Sequence, residues 1–217
     1  MVSASFPKER AMKTVRLFAG LAVASVAFLS TAAAMAQSPP TRVRGTISAI
    51  DGKTVTIATR EGSAATIKLN DNWTVALVAP VSAADIKPGS FVGVASMGTD
   101  ANRTALEVLV FPEAMKAAKP GEGHYPWDLQ PESMMTNATV STVAAGGDGQ
   151  TLKLDYKDGG TQTIKVKPGT PIVTFLPGTQ ADAKVGAKVF VGAAKAADGS
   201  LSAGRLNVGK DGLTPPM

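Results

Sequence analysis

The sequence predicts an all-β protein: two tandem OB-like (or SH3-like) small β-barrel domains related by internal duplication. Three observations carry this. Apolar and polar residues alternate at period two, tight-turn signals recur at short spacing, and two halves of the chain repeat each other in register. An open two-sheet sandwich is the alternative architecture.

The repeat runs as follows. Arg44-Gly-Thr-Ile-Ser-Ala-Ile50 matches Asn137-Ala-Thr-Val-Ser-Thr-Val143, and Asp51-Gly-Lys-Thr-Val-Thr-Ile57 matches Asp148-Gly-Gln-Thr-Leu-Lys-Leu154. The second half carries the extra segment Ala144–Gly147. From Asp51/Asp148 to Gly89/Gly186 the offset then stays constant, through Gly62/Gly159, Thr66–Leu69/Thr163–Val166 and Asp85–Gly89/Asp182–Gly186.

Each half reads as five or six short strands. Val43, Gly45, Ile47 and Ala49 alternate with polar residues, and Asp51-Gly52 and Asp148-Gly149 supply hairpin turns, since glycine takes positive φ cheaply. Asp85–Lys87 and Asp182–Lys184 fit short helical turns, with Asp85 and Asp182 as their caps. Val92/Val94 and Val189/Val191 alternate again. The expected segments are a first barrel over 41–111, a connector over 112–135, a second barrel over 136–210 and a loose tail over 211–217. In the connector Ala114–Ala118 fits a helical turn, and Lys119–Pro131 breaks regular structure with its prolines and glycines.

The start of the chain reads as an address. Lys8, Arg10, Lys13 and Arg16 precede the apolar run Leu17–Leu29, and Ala34-Met35-Ala36 forms a cleavage site, so 1–36 is expected to be a secretory signal peptide. The apolar run is shorter than the roughly 20 residues a membrane-spanning helix needs. The expected location is the bacterial periplasm or exterior, with no transmembrane span after cleavage. The leader holds four basic residues and one acid, so the net charge falls from +5 to +2 when it is removed. That balance argues against a nucleic-acid partner. With no cysteine there are no disulfides and no thiolate ligands, and the core must carry the fold.

The leader, Thr41-Arg-Val-Arg-Gly-Thr-Ile47, Asp85–Gly89, Phe111-Pro-Glu-Ala-Met115, Gly121-Glu-Gly-His-Tyr-Pro-Trp-Asp128 and Met135-Thr-Asn-Ala-Thr-Val140 together resemble a group of uncharacterised proteobacterial secreted proteins of tandem small β-barrel repeats. Members often carry a loose label as metal ABC transporter permeases. A permease needs several membrane spans, and this chain offers at most one apolar segment, which is too short. The resemblance implies a secreted repeat protein and assigns it no activity.

Candidate site residues concentrate in Glu122–Asp128, which holds the one histidine and has no counterpart in the repeat. His124, Tyr125, Trp127 and Asp128, with Arg42 and Arg44, are the candidate binding residues. The expected role is a non-catalytic platform for an envelope protein or small ligand. In the bland reading, Tyr125 and Trp127 bury their rings between the barrels as a clasp. Two alternatives use the same loop. A copper or zinc accessory protein would draw on His124, Glu122, Asp128, Met115, Met134 and Met135. A hydrolase would use His124 as base with Ser133 nearby, although no Gly-x-Ser-x-Gly elbow surrounds a serine. No catalytic residue and no cofactor are assigned.

Overall fold

Period-two runs of Thr, Val and Ile become strands because the pleat turns one apolar face to a core and the other to water. The computed structural model describes Pro40–Met217, and over those residues the pattern gives twelve strands. The leader expected over 1–36 lies outside the described residues. The first half holds β1 (Thr41–Asp51), β2 (Thr54–Thr59), β3 (Ala64–Pro80), β4 (Phe91–Thr99) and β5 (Asn102–Val110). The connector holds a helical turn, Glu113–Lys116, and β6 (Gly123–Pro126), a short strand where none was expected. The second half holds β7 (Met134–Gly146), β8 (Gly149–Tyr156), β9 (Gly160–Val166), β10 (Ile172–Pro177), β11 (Lys188–Lys195) and β12 (Leu201–Gly209). No helix among the described residues is long and apolar enough to cross a membrane.

The repeat is visible in the coordinates. The 3-10 turns Ala83–Asp85 and Gln180–Asp182 occupy equivalent positions. Asp85 accepts from the Ser82 N–H at 2.8 Å and the Ser82 hydroxyl at 2.9 Å. Asp182 accepts from Thr179 in the same way at 2.7 and 3.0 Å. Both aspartates therefore sit at the third position of a capping box rather than at the cap itself. The long β3 corresponds to β9 plus β10. Pro168, Gly169 (φ +84°) and Pro171 break the second copy where the first copy has Asp71, Asn72 and Thr74.

The strand pairings differ from the expectation of two sequence-contiguous barrels. A closed five-strand barrel runs β1–β2–β3–β12–β11 and back to β1. Its first three strands come from the first half and its last two from the second. A second ring of pairings runs β7–β8–β9–β5–β4 and back to β7, with the contributions reversed. The halves exchange their final hairpins. At the two crossovers the Gly89 N–H donates to Val140 O and the Gly186 N–H to Ile47 O, both at 2.8 Å, where each half's fourth strand joins the first strand of the other. Between the rings, Ala76–Pro80 of β3 pairs antiparallel with Val173–Pro177 of β10, with Val78 facing Phe175.

Three cores result. One fills the barrel with Ile47, Val55, Ile57, Ile67, Leu69, Val189, Val191 and Leu206. The second repeats these positions as Val140, Leu152, Leu154, Ile164, Val166, Val92, Val94 and Val108. A third lies between the rings and joins Val78, Leu109, Val173 and Met217 to Phe111, Phe175, Phe190 and Leu213.

The C-terminal segment is a correction to the sequence reading. Residues 211–217 are not loose: Met217 is 3% exposed, and its main-chain oxygen accepts from Arg44 Nε at 2.6 Å. Leu213 and Met217 supply apolar anchors, while Pro215 and Pro216 hold the backbone between them extended. Gly209 makes the return possible, because a Cβ there would stand 1.6 Å from the Leu213 carbonyl oxygen.

Candidate functional site

Strand alternation divides the connector loop between two places. On β6, His124 turns one way while Tyr125 turns the other, toward the space between the rings. His124 Nδ1 lies 2.8 Å from the Thr136 hydroxyl, and its ring stacks on Tyr156 at 6.3 Å between centroids. Burial and then the Arg103 charge hold its imidazole below the usual value, against the opposing pull of Asp100.

Thr136 belongs to a polar mouth of the second ring. Ser96, Arg103, Thr136 and Gln162 are all buried there. The equivalent positions of the barrel are Ala193, Leu201, Val43 and Ala65, all apolar, as the matching registers Arg103↔Ile164 and Leu201↔Ile67 fix.

Tyr125, Trp127 and Asp128 meet Arg42 and Arg44 across the ring boundary. Asp128 accepts from Arg44 Nη2 at 2.7 Å and lies 3.7 Å from Arg42 Nη1. The Arg42 guanidinium sits 3.8 Å from the Trp127 ring centroid. Burial raises the Asp128 carboxyl, but the Arg44 hydrogen bond and the two guanidinium charges outweigh it and hold the group below its ordinary value. Burial pushes the Tyr125 phenol up, and its oxygen accepts from Asn137 Nδ2 at 3.1 Å. Of the sequence candidates the structure thus gathers Arg42, Arg44, Tyr125, Trp127 and Asp128, and sets His124 apart.

The residues named for a metal are scattered in their bonding. Glu122 pairs with Lys119 at 2.9 Å, Asp128 with the arginines, and His124 with Thr136. Met115 and Met135 line the space between the rings, and Met134, next to Met135 on β7, faces the other way. Ser133 donates to the main-chain oxygens of Gln130 and Trp127 at 2.7 and 3.1 Å, which ties down the 127–133 turn.

The space between the rings is a cavity of about 320 Å³, large enough for a small organic molecule. Its walls are the rings of Phe111, Phe175, Phe190 and Trp127 and the thioethers of Met115, Met135 and Met217. Four polar side chains interrupt them: Glu107, Asn137, Arg205 and Asn207.

Glu107 is the anomaly. It lies on β5, is 1% exposed, and neither carboxyl oxygen has a partner among the described residues. Burial pushes its pKa up to about 8, with the Arg44 charge opposing. The Trp127 indole N–H, lining the same cavity, is buried without a partner as well. Orphaned buried polar groups are rare in folded proteins because each costs its full desolvation, and they mark places where something else binds. Sequence reading passed over Glu107. Its signal was a single acid inside Ala105-Leu-Glu-Val-Leu-Val110, where period two puts Val108 and Val110 in the ring and Glu107 and Leu109 on its outer, inter-ring side.

The duplication gives the cavity matched walls with different chemistry. The registers Arg44↔Phe190 and Asn137↔Gly93 are equivalent, and the pairings Leu206↔Val75 and Val108↔Ile172 make Arg205 the counterpart of Glu107. Apart from the polar mouth of the second ring, the ring interiors are apolar in both copies, while the cavity positions differ in charge. Comparison of the chain with protein families, with curated proteins and with solved structures finds no match.

Proposed function

We propose that the protein is a non-catalytic binding protein of the bacterial envelope, and that the cavity between its two rings holds a small, largely apolar molecule that carries a hydrogen-bonding head. The observation that carries this reading is the Glu107 carboxyl, buried and unpartnered in an aromatic and methionine-lined cavity. Aromatic and thioether walls suit an apolar body, and a few placed polar groups fix its orientation. The leader supplies the proposed location, and the Trp127–Arg42 and Asp128–Arg44 contacts act as the clasp that keeps the rings together around the site. We read each ring as an OB-like barrel in the order first, second, third, fifth, fourth strand, with the last two strands exchanged between the duplicated halves.

The metal alternative has less support, because His124, Glu122 and Asp128 are each engaged with a different neighbour. The hydrolase alternative has less support, since the Ser133 hydroxyl is turned to main-chain carbonyls and the hydroxyl that His124 does meet, that of Thr136, is fully buried.

Titration calorimetry with the neutral amphipath 3-phenylpropan-1-ol tests the reading. Binding of one molecule per chain is expected, weakened about tenfold in Phe175→Ala, which removes one aromatic wall. Absence of binding at millimolar concentrations contradicts it.

A further inference from the structure

Two ionisable groups reach this cavity without an ion-pair partner among the described residues. Glu107 has no partner on either oxygen. Arg205 is held in place by its Nε bond to Asn207 Oδ1 at 3.1 Å and by the Phe175 ring, 4.7 Å from its guanidinium carbon, but no carboxylate pairs with it among the described residues. Burial also lowers the Arg205 guanidinium from its ordinary value. The two stand at equivalent positions of the duplicated hairpins, one contributed by each ring.

Resting on the cavity reading above, we infer that the ligand is a zwitterion with an apolar body, an α-amino acid or short peptide, whose ammonium meets Glu107 and whose carboxylate meets the Nη edge of Arg205. A simple cation would satisfy Glu107 but leave Arg205 uncompensated, in a region where Arg42 and Arg44 already share the single carboxylate of Asp128. A simple anion would pair with Arg205 but leave both Glu107 oxygens without a partner. A zwitterion partners both: its ammonium pairs with Glu107 as that carboxyl gives up its proton to solvent, and its carboxylate pairs with Arg205, so the filled cavity holds two matched pairs and no net charge. Guanidinium and carboxylate also form a charge-assisted pair of defined geometry, and Arg205 is pre-set for it by Asn207 and Phe175. The volume, room for about ten waters, fits a single amino acid or a small dipeptide.

The test compares five probes on the full chain by calorimetry at neutral pH: L-phenylalanine, glycyl-L-phenylalanine, 2-phenylethylamine, 3-phenylpropionate and 3-phenylpropan-1-ol. One of the two zwitterions is expected to bind about tenfold or more tighter than the amine, the acid and the alcohol, and which one does so separates a free amino acid from a peptide. In Arg205→Gln the favoured zwitterion is expected to fall to the level of the amine. In Glu107→Gln it is expected to fall to that of the acid. If the alcohol binds and neither zwitterion exceeds it, the inference is overturned while the cavity reading stands. If no probe binds, both are overturned.

Discussion

Cut between Ala118 and Lys119, the chain is expected to give two pieces that fold only when mixed. The first piece, alone, has no β11 or β12 to close the barrel. Its half-barrel is left without the packing of Val189, Val191, Leu206 and Val208, which lie on the other piece and are exposed there in turn. At roughly 2 kcal/mol for each such side chain the loss is on the order of 8 kcal/mol, as large as the whole stability of many domains. Each piece could instead close on its own final hairpin, since the interior positions match in both halves. The barrel mouths oppose that. Self-closure of the first half would set the Arg103 guanidinium and the Ser96 hydroxyl against Val43 and Ala65, away from the Thr136 and Gln162 that line the polar mouth with them. Arg103 would keep Asp100, its partner in the same hairpin, but its remaining N–H groups and the Ser96 hydroxyl would face aliphatic side chains, which is disfavoured. Size-exclusion chromatography and thermal unfolding read the outcome: no cooperative melt for either piece, and a 1:1 complex with a single transition on mixing. Two separately folded monomers would contradict the exchange.

The second large effect concerns pH. The folded Glu107 carboxyl is pushed up to about 8, while the unfolded one titrates near its ordinary value of 4.5. Between those values the folded chain holds a proton that the unfolded chain releases. The contribution of Glu107 is therefore fully present below about pH 4.5 and is lost as pH rises through about 8. Each pH unit in that window removes about 1.4 kcal/mol, and the whole window about 5 kcal/mol as an upper limit. His124 acts in the opposite sense: its imidazole is held down in the folded chain, so its contribution grows as pH rises toward its ordinary value of 6.5. Asp128, held down by Arg44 and Arg42 against its burial, changes only in acid. Comparison of wild type with Glu107→Gln isolates the one group. Urea midpoints at pH 5 and pH 8 are expected to fall in wild type and to fall much less in the variant. Equal falls in both would show that Glu107 is not held neutral by burial.

The duplication, the turns and the interior positions were legible in the sequence because they rest on local chemistry. Asp51-Gly52 turns a hairpin through the positive φ of Gly52, and Ile57 and Leu154 face inward by the same alternation. The exchange of hairpins was not legible. Val189 and Val92 are both apolar and equivalent, so either pairing satisfies the pattern, and the hairpins differ at the mouth, where Arg103 and Ser96 stand against Leu201 and Ala193. The tail was misread because Thr214-Pro-Pro216 has the composition of a linker, while its order depends on the turn at Gly209 and on Arg44, far away in the chain. The connector loop was found by its rare residues, yet its role was split by a parity that only β6 reveals. Arg42 and Arg44 drew notice as charges on a strand, and the structure joins them to Trp127 and Asp128. Glu107 and Arg205 escaped notice because each is a single charge in an apolar run, and their significance lies in the cavity they share.

The most direct test of ligand binding between the rings is a nuclear magnetic resonance titration that follows isotope-labelled methionine methyl groups. With L-phenylalanine or 3-phenylpropan-1-ol as the probe, the methyl signals of Met115, Met135 and Met217 are expected to move together and saturate at one molecule per chain. Those of Met97 and Met134, which do not line the cavity, are expected to stay in place. Static signals at Met115, Met135 and Met217 with both probes at millimolar concentration, or shifts of equal size at Met97 and Met134, would contradict the account.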